Sequence, residues 1–69
     1  MKFDIYGRFQ LEVLRERNAW VAYRLGPGAR SREDTFVIPK SLAPDEIASF
    51  LDDMYHELAG AGDSVRLLS

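Results

Sequence analysis

Residues 3 to 13 alternate between apolar and polar side chains. Phe3, Ile5, Phe9, Leu11 and Val13 fall on one side of an extended chain, with Gly7 in the gap. Lys2, Asp4, Tyr6, Arg8, Gln10 and Glu12 fall on the other. A period of two held over this length describes a strand with one face on a core and one in water. Gly7 brings no side chain to the middle of the run, which marks a bulge or bend inside a strand of about residues 2–15.

Trp20 to Leu25, rich in aromatic and branched residues, reads as a second strand over about 19–25. Asn tolerates a left-handed backbone at low cost. A three-residue loop Glu16-Arg17-Asn18 therefore closes a hairpin. That register pairs Val13 with Val21, Leu11 with Tyr23 and Phe9 with Leu25. A one-residue slip would turn Val21, Tyr23 and Leu25 outward, which the apolar pattern opposes. Gly26-Pro27-Gly28 ends the strand, and Ala29 to Asp34 reads as a polar loop. Residues 35–38 form a short third strand, with Phe36 and Ile38 toward the core.

A helix is expected over about 44–59. Pro44 suits its first turn, and Asp45 and Glu46 suit the positive end of its dipole. Ile47, Phe50, Leu51, Met54 and Leu58 make one apolar stripe. The tail, 60–69, leaves two readings for Val65–Leu68, a final strand or a packed end. The expected fold is thus α+β: one domain over 1–69, with an antiparallel three-stranded sheet (a β-hairpin plus a third strand) and one C-terminal amphipathic helix on one face, β-β-β-α.

Several function classes have little material. There is no cysteine, and no apolar run of membrane-spanning length or of the kind a signal peptide carries. A cytoplasmic, non-membrane protein is the expectation. Net charge is −2, but residues 1–42 hold eight basic and five acidic side chains, and residues 43–69 hold one and six. A basic strand half beside an acidic helix half reads plainly as a solvated helix face beside a mildly basic sheet, and more sharply as a charge-steered partner site. The net charge argues against a general nucleic-acid binder. Asp52, Asp53, His56 and Glu57 lie on the solvent side of the expected helix, and one His without Cys makes no usual zinc site alone. Gly26-Pro27-Gly28 lacks the helix and Lys that a phosphate loop needs. Arg30 and Arg32 are followed at once by Glu33 and Asp34, and no serine has a His–Asp setting that spacing reveals. No catalytic residue, metal, cofactor or small-molecule ligand is assigned, and the chain is not expected to be an enzyme.

One helix covers only one face of a sheet. In the register above, the other face carries Trp20 beside Leu14, near Tyr6, with Arg8 and Arg24 around them. Aromatic residues with Arg at their rim are typical of interface cores. The equal alternative is Trp20 packed locally against Leu14 and the Arg24 stem, and stacked bases would need the same residue types. The expected function is a small binding module that self-associates or binds a protein partner through this face, a homodimer being the simplest form. Trp20 is its anchor, Leu14 and Tyr6 its apolar surround, and Arg8 and Arg24 its rim. The expectation depends on the Trp20 indole emerging on the bare side.

The stretches Phe3–Phe9, Trp20–Gly26, Val37-Ile38-Pro39, Glu46-Ile47 and Leu51–Leu58 together resemble a family of bacterial proteins of about this length and of unknown function. The resemblance spans nearly the whole chain and implies no activity. The element order is also similar to that of HicB-like antitoxin domains, although the helix entry Leu42-Ala43-Pro44-Asp45-Glu46 departs from theirs. That likeness implies an alternative role, a regulator contacting nucleic acid or a toxin.

Overall fold

The alternating run at the start of the chain folds back on itself. In the computed structural model, which describes residues 1–69, β1 (Lys2–Ile5) pairs antiparallel with β2 (Phe9–Glu16), Phe3 opposite Leu11 and Ile5 opposite Phe9. The single strand expected over 2–15 is therefore a hairpin. Tyr6 and Gly7 stand at φ 57° and 70°, and the Arg8 N–H donates to the Ile5 carbonyl at 2.9 Å. Three residues join the strands, and an odd connection returns the chain in the same parity. A period of two therefore cannot tell a straight strand from a hairpin closed in this way.

The next turn reverses the parity. β3 (Ala19–Gly26) pairs with β2 so that Glu16 faces Ala19, Arg15 faces Trp20, Val13 faces Ala22 and Leu11 faces Arg24. The loop has two residues, Arg17 and Asn18, at φ 48° and 67°. Positive φ at both positions is the type I′ arrangement, whose twist matches that of the flanking strands. The expected register, Val13 beside Val21, is off by one residue, so every β3 side chain lies on the face opposite to the one expected. Apolar residues occupy both parities of β3, and the turn decides between them.

A third tight turn follows, with Pro27 at its second position and Gly28 at φ 76° at its third, the type II pattern. Ala29–Arg32, expected as a loop, is β4, paired along β3. The expected strand 35–38 does not form. From Glu33 the chain leaves the sheet as a strap that buries Ile38 and packs Phe36 edge-on against Phe50 and Tyr55, while Val37 between them is 85% exposed.

A 3-10 turn at Pro44–Glu46 leads into α1 (Ile47–Met54), and a second 3-10 turn at His56–Leu58 follows. Ala43 has no side chain with which to cap, but its N–H donates to Glu46 Oε1 at 2.8 Å. The helix stops short of the expected residue 59. Tyr55 leaves helical geometry, and its ring meets Phe9 and Phe36 edge-on at 5.2 and 5.5 Å. The buried line is thus Ile47, Leu51 and Tyr55, while Met54 and Leu58 of the expected stripe are 47% and 41% exposed. Finally β5 (Val65–Leu67) pairs with the edge that the first hairpin leaves open on β1.

The sheet therefore has five antiparallel strands in the order β4-β3-β2-β1-β5, and the three-stranded β-β-β-α arrangement is corrected. The core lies between the sheet and α1. Phe3, Ile5, Leu11, Val13 and Ala22 supply it from below, and Ile38, Ile47, Leu51 and Tyr55 from above.

Candidate functional site

With the register known, the uncovered face of the sheet reads row by row. Leu14 faces Val21; Lys2, Glu12, Tyr23 and Arg32 form the next row; Arg66, Asp4, Gln10, Leu25 and Arg30 form the one after. The centre is apolar: Leu14, Tyr23 and Leu25 are half-buried, and Val21 is 8% exposed although it stands outside the main core cluster. Charge surrounds it. Arg30 bridges to Glu12 at 3.0 Å and lies 4.1 Å above the Tyr23 ring; Arg66 reaches Asp4 at 3.6 Å. Arg32 enters no salt bridge within the chain.

The five residues expected to share this face do not come together. Leu14 is on it. Trp20 lies on the helix side, where its indole N–H donates to the Leu42 carbonyl at 3.0 Å and the Arg15 guanidinium sits 4.7 Å from the ring centre. Arg24 is also on the helix side, 3.9 Å from the Phe9 ring and 3.0 Å from Glu33. Arg8 is exposed in the first turn. Tyr6, in that same turn, is buried, and its hydroxyl donates to Asp52 on α1. The premise of a bare-side indole is corrected, because the two-residue turn sends position 20 under the helical layer. Val21, Tyr23, Leu25, Arg30 and Arg32 take the place of the residues that leave. Asn18 was the available signal: two residues between strands favour type I′, and Asn accepts positive φ.

Two polar clusters tie the helical layer to the sheet. Tyr6 pays a backbone cost for its φ, of order 1–2 kcal/mol for a side chain of this kind, and in return its hydroxyl meets Asp52. Burial first, and then Asp52, pushes its pKa up to about 12. In the second cluster, Glu33 accepts hydrogen bonds from Arg24 at 3.0 Å, Thr35 at 2.9 Å and Tyr55 at 3.2 Å. Burial raises the Glu33 pKa, but the hydrogen bonds from Thr35 and Tyr55 and the charge of Arg24 outweigh it, so the carboxyl is held below its ordinary value. Tyr55 is pushed up to about 12, by burial first and then by Glu33. Both clusters fix structure, and both border surface clefts: Tyr6 lines one of about 310 Å³, Asp52 one of about 220 Å³, and Glu33 the one beside the strap. That last cleft, of about 120 Å³, lies between Trp20–Ala22 and the strap at Phe36–Ile38.

No group of three or more His, Asp or Glu side chains comes together to hold a metal ion, and no helix is long and apolar enough to cross a membrane. No curated protein and no solved structure matches the chain. The family described as Domain of unknown function (DUF7661) matches residues 1–69, and the chain belongs to that family.

Proposed function

We propose that the chain is a small non-enzymatic binding module that pairs with a second copy of itself through the uncovered face of the sheet. The observation that carries this reading is the charge layout around the apolar centre. A two-fold axis along β3 lays Val21, Tyr23 and Leu25 on their own counterparts and carries β4 over β2. In the row Lys2–Glu12–Tyr23–Arg32, Glu12 then meets the partner's Arg32, and Arg32 meets the partner's Glu12. An axis across the strands would set Arg32 against the partner's Arg32, so the layout selects the first. Stacking two sheets in this way is ordinary sandwich packing, about 10 Å apart. A chain of this size also has a small core, and a second copy adds apolar burial to it.

Sedimentation equilibrium tests the reading. The wild type is expected at twice the chain mass at high concentration, and Tyr23→Ser at the chain mass with its circular dichroism unchanged. Glu12→Arg and Arg32→Glu should each weaken pairing, and mixing the two variants should restore it. A wild type that stays monomeric at millimolar concentration would sink the proposal. The antitoxin-like alternative drew on an order of hairpin, third strand and helix, which the five-stranded sheet replaces, and on the basic strand half, which stands.

A further inference from the structure

The sheet also has two open edges, and they differ. The Glu33 N–H donates to the Ala22 carbonyl at 2.9 Å, which marks Ala22 and Glu33 as a hydrogen-bonded pair. Antiparallel ladders alternate, so Arg24/Ser31 and Gly26/Ala29 are hydrogen-bonded pairs too. Arg30 and Arg32 therefore turn their backbone N–H and C=O groups away from β3, toward solvent. Their guanidinium groups stand on the uncovered face, while Ala29 and Ser31, on the other side of β4, are small and add no bulk over the edge.

We infer that the β4 edge binds an extended segment of another protein that carries acidic residues at alternate positions, added as a sixth antiparallel strand. Main-chain hydrogen bonds supply affinity in this mode, and alternate side chains supply selection. Residues opposite each other across an antiparallel pair share a face, so acidic residues two apart meet Arg30 and Arg32 together. Arg30 is already engaged with Glu12, which leaves Arg32 as the main selector. The same geometry argues against β4 of a second copy as the occupant, because arginines would then oppose arginines. The other edge lacks this layout. The Tyr6 N–H bonds to the Ser64 carbonyl and the Leu68 N–H to the Lys2 carbonyl, so on β5 the outward groups belong to Val65 and Leu67, and the one arginine there, Arg66, is paired with Asp4.

This edge site does not require the dimer. Arg32 serves both surfaces, so the titration belongs at a protein concentration where the chain is monomeric. The probe is an end-blocked octapeptide of alternating Thr and Glu, with Lys in place of Glu as the control. Binding should slow amide hydrogen exchange at Arg30 and Arg32 and leave Ser31 unchanged. Arg32→Glu should weaken the Glu peptide by about tenfold, or about 1.4 kcal/mol, and admit the Lys peptide. N-methylation of the peptide amides that face β4 should abolish binding to the wild type, a result that needs no protein variant. The inference is overturned if the Glu peptide does not bind, if it binds without protecting those two amides, or if the Lys peptide binds equally well.

Discussion

The two faces of this sheet are made by the same strands and do different work. On the covered face, Phe3, Ile5, Leu11, Val13 and Ala22 are buried against Ile47 and Leu51, and the polar groups at the rim are tied to the layer above through Tyr6–Asp52, Trp20–Leu42 and Arg24–Glu33–Tyr55. On the uncovered face, the apolar side chains Leu14, Tyr23 and Leu25 are only half-buried and sit among charges that bridge across strands. Burial is what stabilises a small domain, so the free energy of folding is concentrated on the first face. The second face, where Val21 alone is buried, contributes less to the monomer.

The largest effect should come from opening a cavity on the covered face. Leu51→Ala removes a fully buried side chain. It should cost about 2–5 kcal/mol in urea unfolding, which is most of what a domain of this size has. Leu25→Ala on the other face should cost less than about 1 kcal/mol in the same assay. Equal losses for the two variants would erase the distinction between the faces.

Titration should sharpen the comparison, because the displaced groups all belong to the covered side. The folded chain holds protons on Tyr6 and Tyr55 up to about pH 12, against an ordinary value of 10.0. It therefore keeps protons that the unfolded chain releases between those values. The stabilisation is complete below pH 10 and is lost as pH rises toward 12. Tyr6→Phe should cost about 1 kcal/mol at neutral pH and flatten part of the alkaline loss. Glu33 behaves in the opposite sense. Its lowered pKa gives stability that is present above the ordinary 4.5 and is lost as pH falls through the folded value. Glu33→Gln should remove that acid-side loss, as followed by thermal melts at a series of pH values. A melting temperature insensitive to pH at both extremes would mean that the two clusters do not hold the helical layer down.

How much of this was legible in the sequence follows from parity. The alternation identified Phe3, Ile5, Leu11 and Val13 as core-facing although it misplaced the chain path, because a three-residue turn preserves odd and even; it put Tyr6 outside, and the turn itself buries that residue. Pro44 and the acidic first turn marked the helix start, and Ile47 and Leu51 its buried line. The helix end was hidden because Tyr55 takes its place from tertiary partners, Phe9, Phe36 and Glu33, that no local pattern reports. β4 was hidden for a related reason. Ala-Arg-Ser-Arg has no apolar alternation, since an edge strand exposed on both sides has no core to alternate against. The candidate site was then lost twice over: a single residue of register exchanged Trp20 and Arg24 for Val21, Tyr23 and Leu25, and the first turn took Tyr6 and Arg8 out of the strand.

The smallest expected effect bears on the origin of the two faces. If the Arg17-Asn18 turn decides which side of β3 is buried, then improving that turn should reinforce the arrangement without touching any packed side chain. Asn18 stands at φ 67°, where glycine carries no steric cost. Glycine at the second position of a two-residue type I′ loop is also the preferred partner of the residue before it. Asn18→Gly should therefore raise stability by a few tenths of a kcal/mol, up to about 1 kcal/mol, and should leave the Trp20 indole N–H bonded to the Leu42 carbonyl, as read from its slow hydrogen exchange. A three-residue loop with Asn18 left-handed would gain from glycine as well, so the indole is what discriminates: that register puts Trp20 on the uncovered face, where its N–H exchanges fast. A variant with a fast-exchanging indole would therefore remove the turn as the cause and return the choice of face to the side chains of β3.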